Sequence, residues 1–256
     1  MRGRCEMRAT VALTRVETLL FLRNPTSIFM AVLPALLLLL QAYVIQGTMN
    51  PIGGPDPNAA ALRPIDFFVP VAVTVAIASV AITNYPSSVG SYRETGILRR
   101  LGVTPVGAHR VLLAQWVVSG MSLAAAFLLT MTIAWLAIGA SAPRNAIIAA
   151  ATVIFGTIAM MSLGSVLAAI APNAQAAYGL GLIVFMATMF TAGMWTPGPL
   201  MPETIRIISG FTPMGAMTQA LTDAWYAGTV SLVPFIVMTA WALLASALAV
   251  KVFRWV

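Results

Sequence analysis

Charged residues are missing from five long runs of this chain, and their absence limits the available folds more than any other feature. No Asp, Glu, Lys or Arg lies between Arg23 and Asp56, Asp66 and Arg93, Arg110 and Arg144, Arg144 and Glu203, or Asp223 and Lys251. A soluble domain carries roughly 25% charged residues. Here only 8% of 256 residues are charged and 60% are hydrophobic. A soluble fold of this size has no interior large enough for that much apolar surface, so the chain is read as an integral membrane protein. A helix rising about 1.5 Å per residue needs about 20 residues to cross a hydrocarbon core of about 30 Å. The fourth run covers 58 residues. It therefore holds two helices, with Pro172, Asn173, Ala174 and Gln175 as the turn between them. The expected architecture is a single all-α polytopic domain over residues 1–256. Its six spans are expected at 28–45, 65–83, 117–138, 146–171, 176–195 and 232–250.

The charges that remain are sorted by side. With both ends on one side, Arg2, Arg4, Arg8, Arg15, Arg23, Arg93, Arg99, Arg100, Arg110, Lys251 and Arg254 share it, and only Arg63, Arg144 and Arg206 lie opposite. Eleven against three predicts cytoplasmic termini and a multi-pass protein of the plasma membrane. The net charge of +7, which in a soluble protein would suggest nucleic acid, is explained by that bias, and no nucleic-acid partner is expected. At the N-terminus, residues 6–23 interleave Arg8, Arg15, Glu17 and Arg23 with Val11, Val16, Leu19, Leu20 and Leu22. That pattern predicts an interfacial helix within residues 1–24, arginines toward phosphates and apolar side chains down. The first apolar run follows too late, and lacks the small-residue cleavage site, for a signal peptide; it is read as a retained span. Cys5 is the single cysteine, so no intrachain disulfide and no cysteine-based zinc site is expected.

Between the second and third spans lies a polar island. Ser91 reads as an N-cap, with Glu94 completing a capping box. Glu94, Ile97, Leu98 and Leu101 fall at helical spacing on one face. Gly102 and Pro105 suit the end of a helix. The plain reading is a cytoplasmic loop made basic by the sidedness of charge. The sharper one is a docking helix at 91–102 that a second, soluble protein grips. On the opposite side, 46–64 reads as an ordinary Pro- and Gly-rich loop, whereas 196–229 holds two short helical patterns. One covers 203–209. The other starts at Thr212 and Pro213, an N-cap and first-turn pair, and places Met214, Met217, Leu221 and Trp225 on a common side. This pair is expected to be either a surface hairpin or a re-entrant one.

Much chemistry is absent from the sequence. No Gly-x-x-x-x-Gly-Lys-Ser/Thr loop is present, so the chain is not expected to bind or hydrolyse ATP itself, and no cofactor is expected on it. His109 stands alone beside Arg110 and reads as an interfacial residue, not a metal ligand. The charge-free runs offer no mid-membrane carboxylate or lysine, which argues against an ion-coupled carrier and against a membrane-embedded enzyme. Packing signals are clearer. Gly156, Met160, Gly164 and Ala168 repeat every four residues, a face suited to close helix contact, and Gly179 and Gly181 offer the fifth span the same. Methionines concentrate on and after spans four and five. They read first as lipid-facing or gap-filling, and secondly as a compliant surface for varied apolar ligands. On that second reading Gln41, Met186, Met189, Met194 and Trp195 are the candidate pathway residues.

These pieces resemble one family. Arg93, Glu94, Gly96, Arg100, Leu101, Thr104 and Pro105 are similar to the Arg-Glu-x-Gly-x-x-x-Arg-Leu-x-x-Thr-Pro segment of the permease subunits of ABC-2 type ATP-driven exporters, near the daunorubicin-type multidrug branch. Gly193, Met194, Trp195, Thr196 and Pro197, followed by Met201, Pro202 and Glu203, look like that family's break after span five. The resemblance implies a subunit that pairs with a second copy or a homologue and exports a drug, antibiotic or lipid. ATP and Mg would sit on a separate ATP-binding subunit, engaged through Tyr92, Arg93, Glu94, Ile97, Leu98, Arg99, Arg100, Leu101, Thr104 and Pro105. The first outer loop is short, so a large substrate-recruiting outer domain is not expected.

Overall fold

The computed structural model of the chain describes residues 25–44, 63–96, 108–195 and 201–252, with Arg23, Gly47 and Asn50 as isolated positions. The expected interfacial helix, most of the 46–64 loop, and residues 97–107 lie outside the described residues. All regular structure among the described residues is helical. Helix α1 is Pro25–Tyr43, and α2 is Pro64–Ala78. A wide π turn at Ser79–Asn84 joins α2 to α3, Tyr85–Glu94. Helix α4, Ala108–Ile133, ends in a second π turn at Ala134–Ile138. Helices α5 (Ala146–Ile170) and α6 (Ala174–Thr191) follow. Two short helices, α7 (Glu203–Gly210) and α8 (Pro213–Thr222), precede a third π turn at Asp223–Ala227 and the last helix, α9 (Leu232–Val252).

Five helices are long and apolar enough to cross a membrane, and Ile28–Tyr43 is a shorter apolar one. The longest is the continuous rod Pro64–Glu94, 31 residues with its whole apolar window buried. Its length explains its role. At about 1.5 Å per residue it is roughly 45 Å long, well beyond a hydrocarbon core of about 30 Å. A helix apolar on all sides belongs in the middle of a bundle, and α1, α4, α5, α6 and α8 surround this one. The expected span stopped at 83. The structure instead carries the helix through. Pro86 brings no N–H to the carbonyls one turn back, and the wider π turn accommodates the missing bond.

That turn also explains the small-residue face. A Cβ added to Gly164 would lie 2.0 Å from the Ala81 carbonyl oxygen, and one on Gly181 would lie 2.4 Å from that of Ile82. Two glycines on two helices therefore admit the bare backbone of the π turn between α5 and α6. Further along α5, Gly156 admits the Met217 thioether, and Met160 and Ala168 are buried. Gly179 does not share this role, since nothing lies within 4 Å of a Cβ placed there.

The docking helix expected at 91–102 needs correction. Ser91 sits in the last turn of α3, so it is not an N-cap. Its carbonyl accepts from the Thr95 N–H at 3.0 Å and from the Thr95 hydroxyl at 2.9 Å. Gly96 then takes φ +68, the left-handed conformation that closes a helix. Glu94 is the last residue of α3, so it does not open the expected helix. Ile97, Leu98, Arg99, Arg100, Leu101, Thr104 and Pro105 lie outside the described residues.

Candidate functional site

Hydrogen bonds between helices gather at the two ends of the body. At one end, the tip of α3 is fastened to the α5–α6 turn. Asn173 caps α6, its Oδ1 accepting from the Ala176 N–H at 2.8 Å, which fixes the turn's shape. Gly90 packs on that turn, with a Cβ position 2.8 Å from the Asn173 carbonyl group. The Ser87 hydroxyl donates to the Ala174 carbonyl at 3.4 Å. Arg93 donates from Nη1 to the Ala169 carbonyl at 3.3 Å and also to that of Ala171. These are the last carbonyls of α5, where a helix leaves acceptors unsatisfied and carries partial negative charge. Arg93 thus reaches into its own chain. Tyr92 accepts from Gln115 Nε2 at 3.2 Å, and Tyr85, deeper in, accepts from Trp116 Nε1 at 3.2 Å and from Ser165 at 3.3 Å. Ser91, Glu94 and Thr95 remain exposed at the tip.

The opposite end is clasped by Arg63. Its Nη2 pairs with Asp66 at 2.8 Å, its backbone N–H donates to the same carboxylate at 2.8 Å, and its Nη1 donates to the Ile138 carbonyl at 2.9 Å. The start of α2 is thereby tied to the end of α4, and the hydrogen bond to Asp66 holds the guanidinium above its ordinary pKa. The Tyr226 hydroxyl donates to the Asp66 carbonyl, and burial pushes the phenol's pKa up. Trp225 Nε1 donates to the Ser141 carbonyl at 2.8 Å, and the Arg144 and Asn145 N–H groups donate to the carbonyls of Trp225 and Ala224. Arg63 and Arg144 therefore share one end, while Arg93 and Lys251 occupy the other. The chain direction of α9 follows from two contacts: Phe235 against Phe155, and Ser246 bonded to Ser162 at 3.0 Å, so α9 runs parallel to α5.

The hairpin α7–α8 enters the body from the Arg63 end. The Thr212 hydroxyl caps α8 by accepting from the Gly215 N–H at 3.1 Å. Met214, Met217, Leu221 and Trp225 are all buried. At the tip, Trp241 Nε1 donates to the Phe211 carbonyl at 2.9 Å. Trp241 stands about halfway along α9, and Met217 reaches Gly156 well inside α5. The hairpin dips into the bundle and returns, with its tip carbonyl satisfied by protein as a non-lipid-facing bend requires.

Within one subunit the candidate pathway residues divide into a buried group and an outward-facing one. Gln41 is buried and donates to the Met194 carbonyl at 3.2 Å; the Met194 N–H in turn donates to the Met189 carbonyl at 3.3 Å. These three tie α1 to the end of α6. Met186 and Trp195 face outward, 48% and 64% exposed. A cavity of about 490 Å³ lies elsewhere, between the hairpin, the end of α6 and the start of α9. Asp223, Arg206 and Gln219 stand on its wall. Sequence reasoning missed it, because its walls meet only once the hairpin folds back. Gly90 was also missed, although a glycine inside a helical pattern is a signal of close backbone approach.

Residues 8–226 match the family described as ABC-2 type transporter. A search of curated proteins finds no match.

Proposed function

The chain belongs to the ABC-2 type transporter family, as the membrane subunit of an ABC transporter, and we propose that it exports apolar or amphipathic compounds, such as a drug, an antibiotic or a lipid. In this reading it works as one half of a dimeric permease in the plasma membrane. Its Arg93 end faces the cytoplasm, where a separate ATP-binding subunit engages the segment that follows α3. The observation that carries the reading is the long buried rod α2–α3, fastened at its protruding tip to the α5–α6 turn by Gly90 and Arg93. Force applied at that tip moves the central helix together with two of its neighbours. Close packing on glycine backbone makes such a unit move as a body. ATP-driven closure of the partner then rocks the helices and switches access from inside to outside.

Transport in inside-out vesicles carrying the chain and its ATP-binding subunit tests this. Uptake of an amphipathic probe is expected to require ATP, to stop with vanadate and to be indifferent to a protonophore. Uptake that persists without ATP and collapses with the protonophore would identify an ion-coupled carrier instead.

A further inference from the structure

The cavity between the α7–α8 hairpin and α9 belongs neither to the coupling end nor to the expected pathway, and its chemistry is uneven. Its size, about 490 Å³, falls in the range that takes one drug-sized molecule. Asp223 stands on its wall, half-buried. Among the described residues its carboxylate has no hydrogen-bond or ion-pair partner, the ion pair described there being Arg63–Asp66. Burial pushes the Asp223 carboxyl up from the usual carboxylate range. Gln219 is already engaged, donating to the Arg206 carbonyl at 2.9 Å and to the Ser209 hydroxyl at 3.2 Å. It braces the hairpin and gives Asp223 nothing. Arg206 lines the cavity too, but it is exposed and its charge is largely screened by water. The rest of the wall is greasy. Ile207, Phe211 and Val233 are 56%, 65% and 58% exposed beside it.

A half-desolvated carboxylate without a partner is unfavourable and gains most from a cation. A lone carboxylate is a poor site for Ca²⁺, which takes six to eight oxygens. An organic cation needs only one. We propose that this cavity binds an amphipathic organic cation whose charged group is held by Asp223 and whose apolar body lies against Ile207, Phe211 and Val233. The inference rests on the permease reading only for its place in transport, because binding is measurable with no ATP and no partner subunit.

The test uses the full chain in neutral detergent, titrated with ethidium as the cationic probe and pyrene as a neutral one. Asp223→Asn is expected to weaken ethidium binding at least tenfold and to leave pyrene unchanged; Asp223→Glu is expected to retain ethidium. Equal ethidium affinity in wild type and Asp223→Asn overturns the proposal, as does parallel loss of ethidium in the Asn and Glu variants. Repeating the titration in lipid nanodiscs separates two sources of the same chemistry. Displacement of ethidium by phosphatidylethanolamine supports the site with a membrane lipid as its occupant. Failure to displace supports it with free amphipathic cations.

Discussion

Arg93→Ala is expected to cut ATP-driven export by roughly 10- to 100-fold, the range of an ordinary coupling free energy, while the protein still inserts and accumulates. The argument is local. Arg93 Nη1 is the group that joins the tip of α3 to the Ala169 and Ala171 carbonyls at the end of α5. Without it, those carbonyls lose a charged donor and the tip keeps only its packing through Gly90 and the weak Ser87–Ala174 hydrogen bond. A push on the tip then moves α3 without carrying the α5–α6 turn along. Arg93→Lys is expected to restore only part of the function. A lysine places a single ammonium where the planar guanidinium spreads its donors over a fixed fork. Transport assays alongside a surface-expression measurement check both variants. Export at the wild-type rate by Arg93→Ala would show that the latch plays no part in coupling.

The second large effect is on assembly of the body. Gly164→Ala puts a Cβ 2.0 Å from the Ala81 carbonyl oxygen. That atom belongs to the backbone of the central rod, so no side chain can swing aside, and α2 and α5 must part. Overpacking of a closed interior typically costs about 1–3 kcal/mol, occasionally more, and the rigid neighbour here places the change at or above the upper end. The matched control is Gly179→Ala, one helix away. Nothing lies within 4 Å of the new methyl group, and alanine is the better helix former, so stability is expected to hold or rise slightly. Thermal unfolding in detergent, followed by fluorescence-detected size exclusion, distinguishes the pair. Equal losses for both variants would mean that the close contact between Gly164 and the π turn has been misassigned.

The class of the fold was legible because lipid imposes a simple rule. Runs without charge must be helices long enough to satisfy their own backbone, and this chain writes those runs plainly. The family was legible from the segment beginning at Arg93 and Glu94. What failed was local punctuation. The expected second span ends at 83, and Ser91 with Glu94 has the spacing of a capping box. Both signals describe a helix in isolation. Inside the bundle the π turn absorbs Pro86, and Gly164 and Gly181 hold its displaced carbonyls, so the helix runs on until Gly96. The contacts of Arg93 were hidden for a different reason. Its partners are backbone carbonyls 76 and 78 residues away, which carry no sequence signature. The cavity was invisible for the same kind of reason. Asp223 and Arg206 face one space only because the hairpin doubles back at Phe211, and their positions in the sequence do not show that they meet. Among the methionines, Met189 and Met194 fill the interior and Met186 points outward.

The account turns on the exposed tip that follows α3 facing the cytoplasm and being covered there by the ATP-binding subunit. One labelling measurement tests this directly. In a Cys5→Ser background, Thr95→Cys places a single thiol at that tip. A membrane-impermeant maleimide is predicted to label it in inside-out vesicles but not in intact cells, and addition of the ATP-binding subunit is predicted to block the labelling. Labelling from outside intact cells, or labelling unchanged by the ATP-binding subunit, would contradict the account.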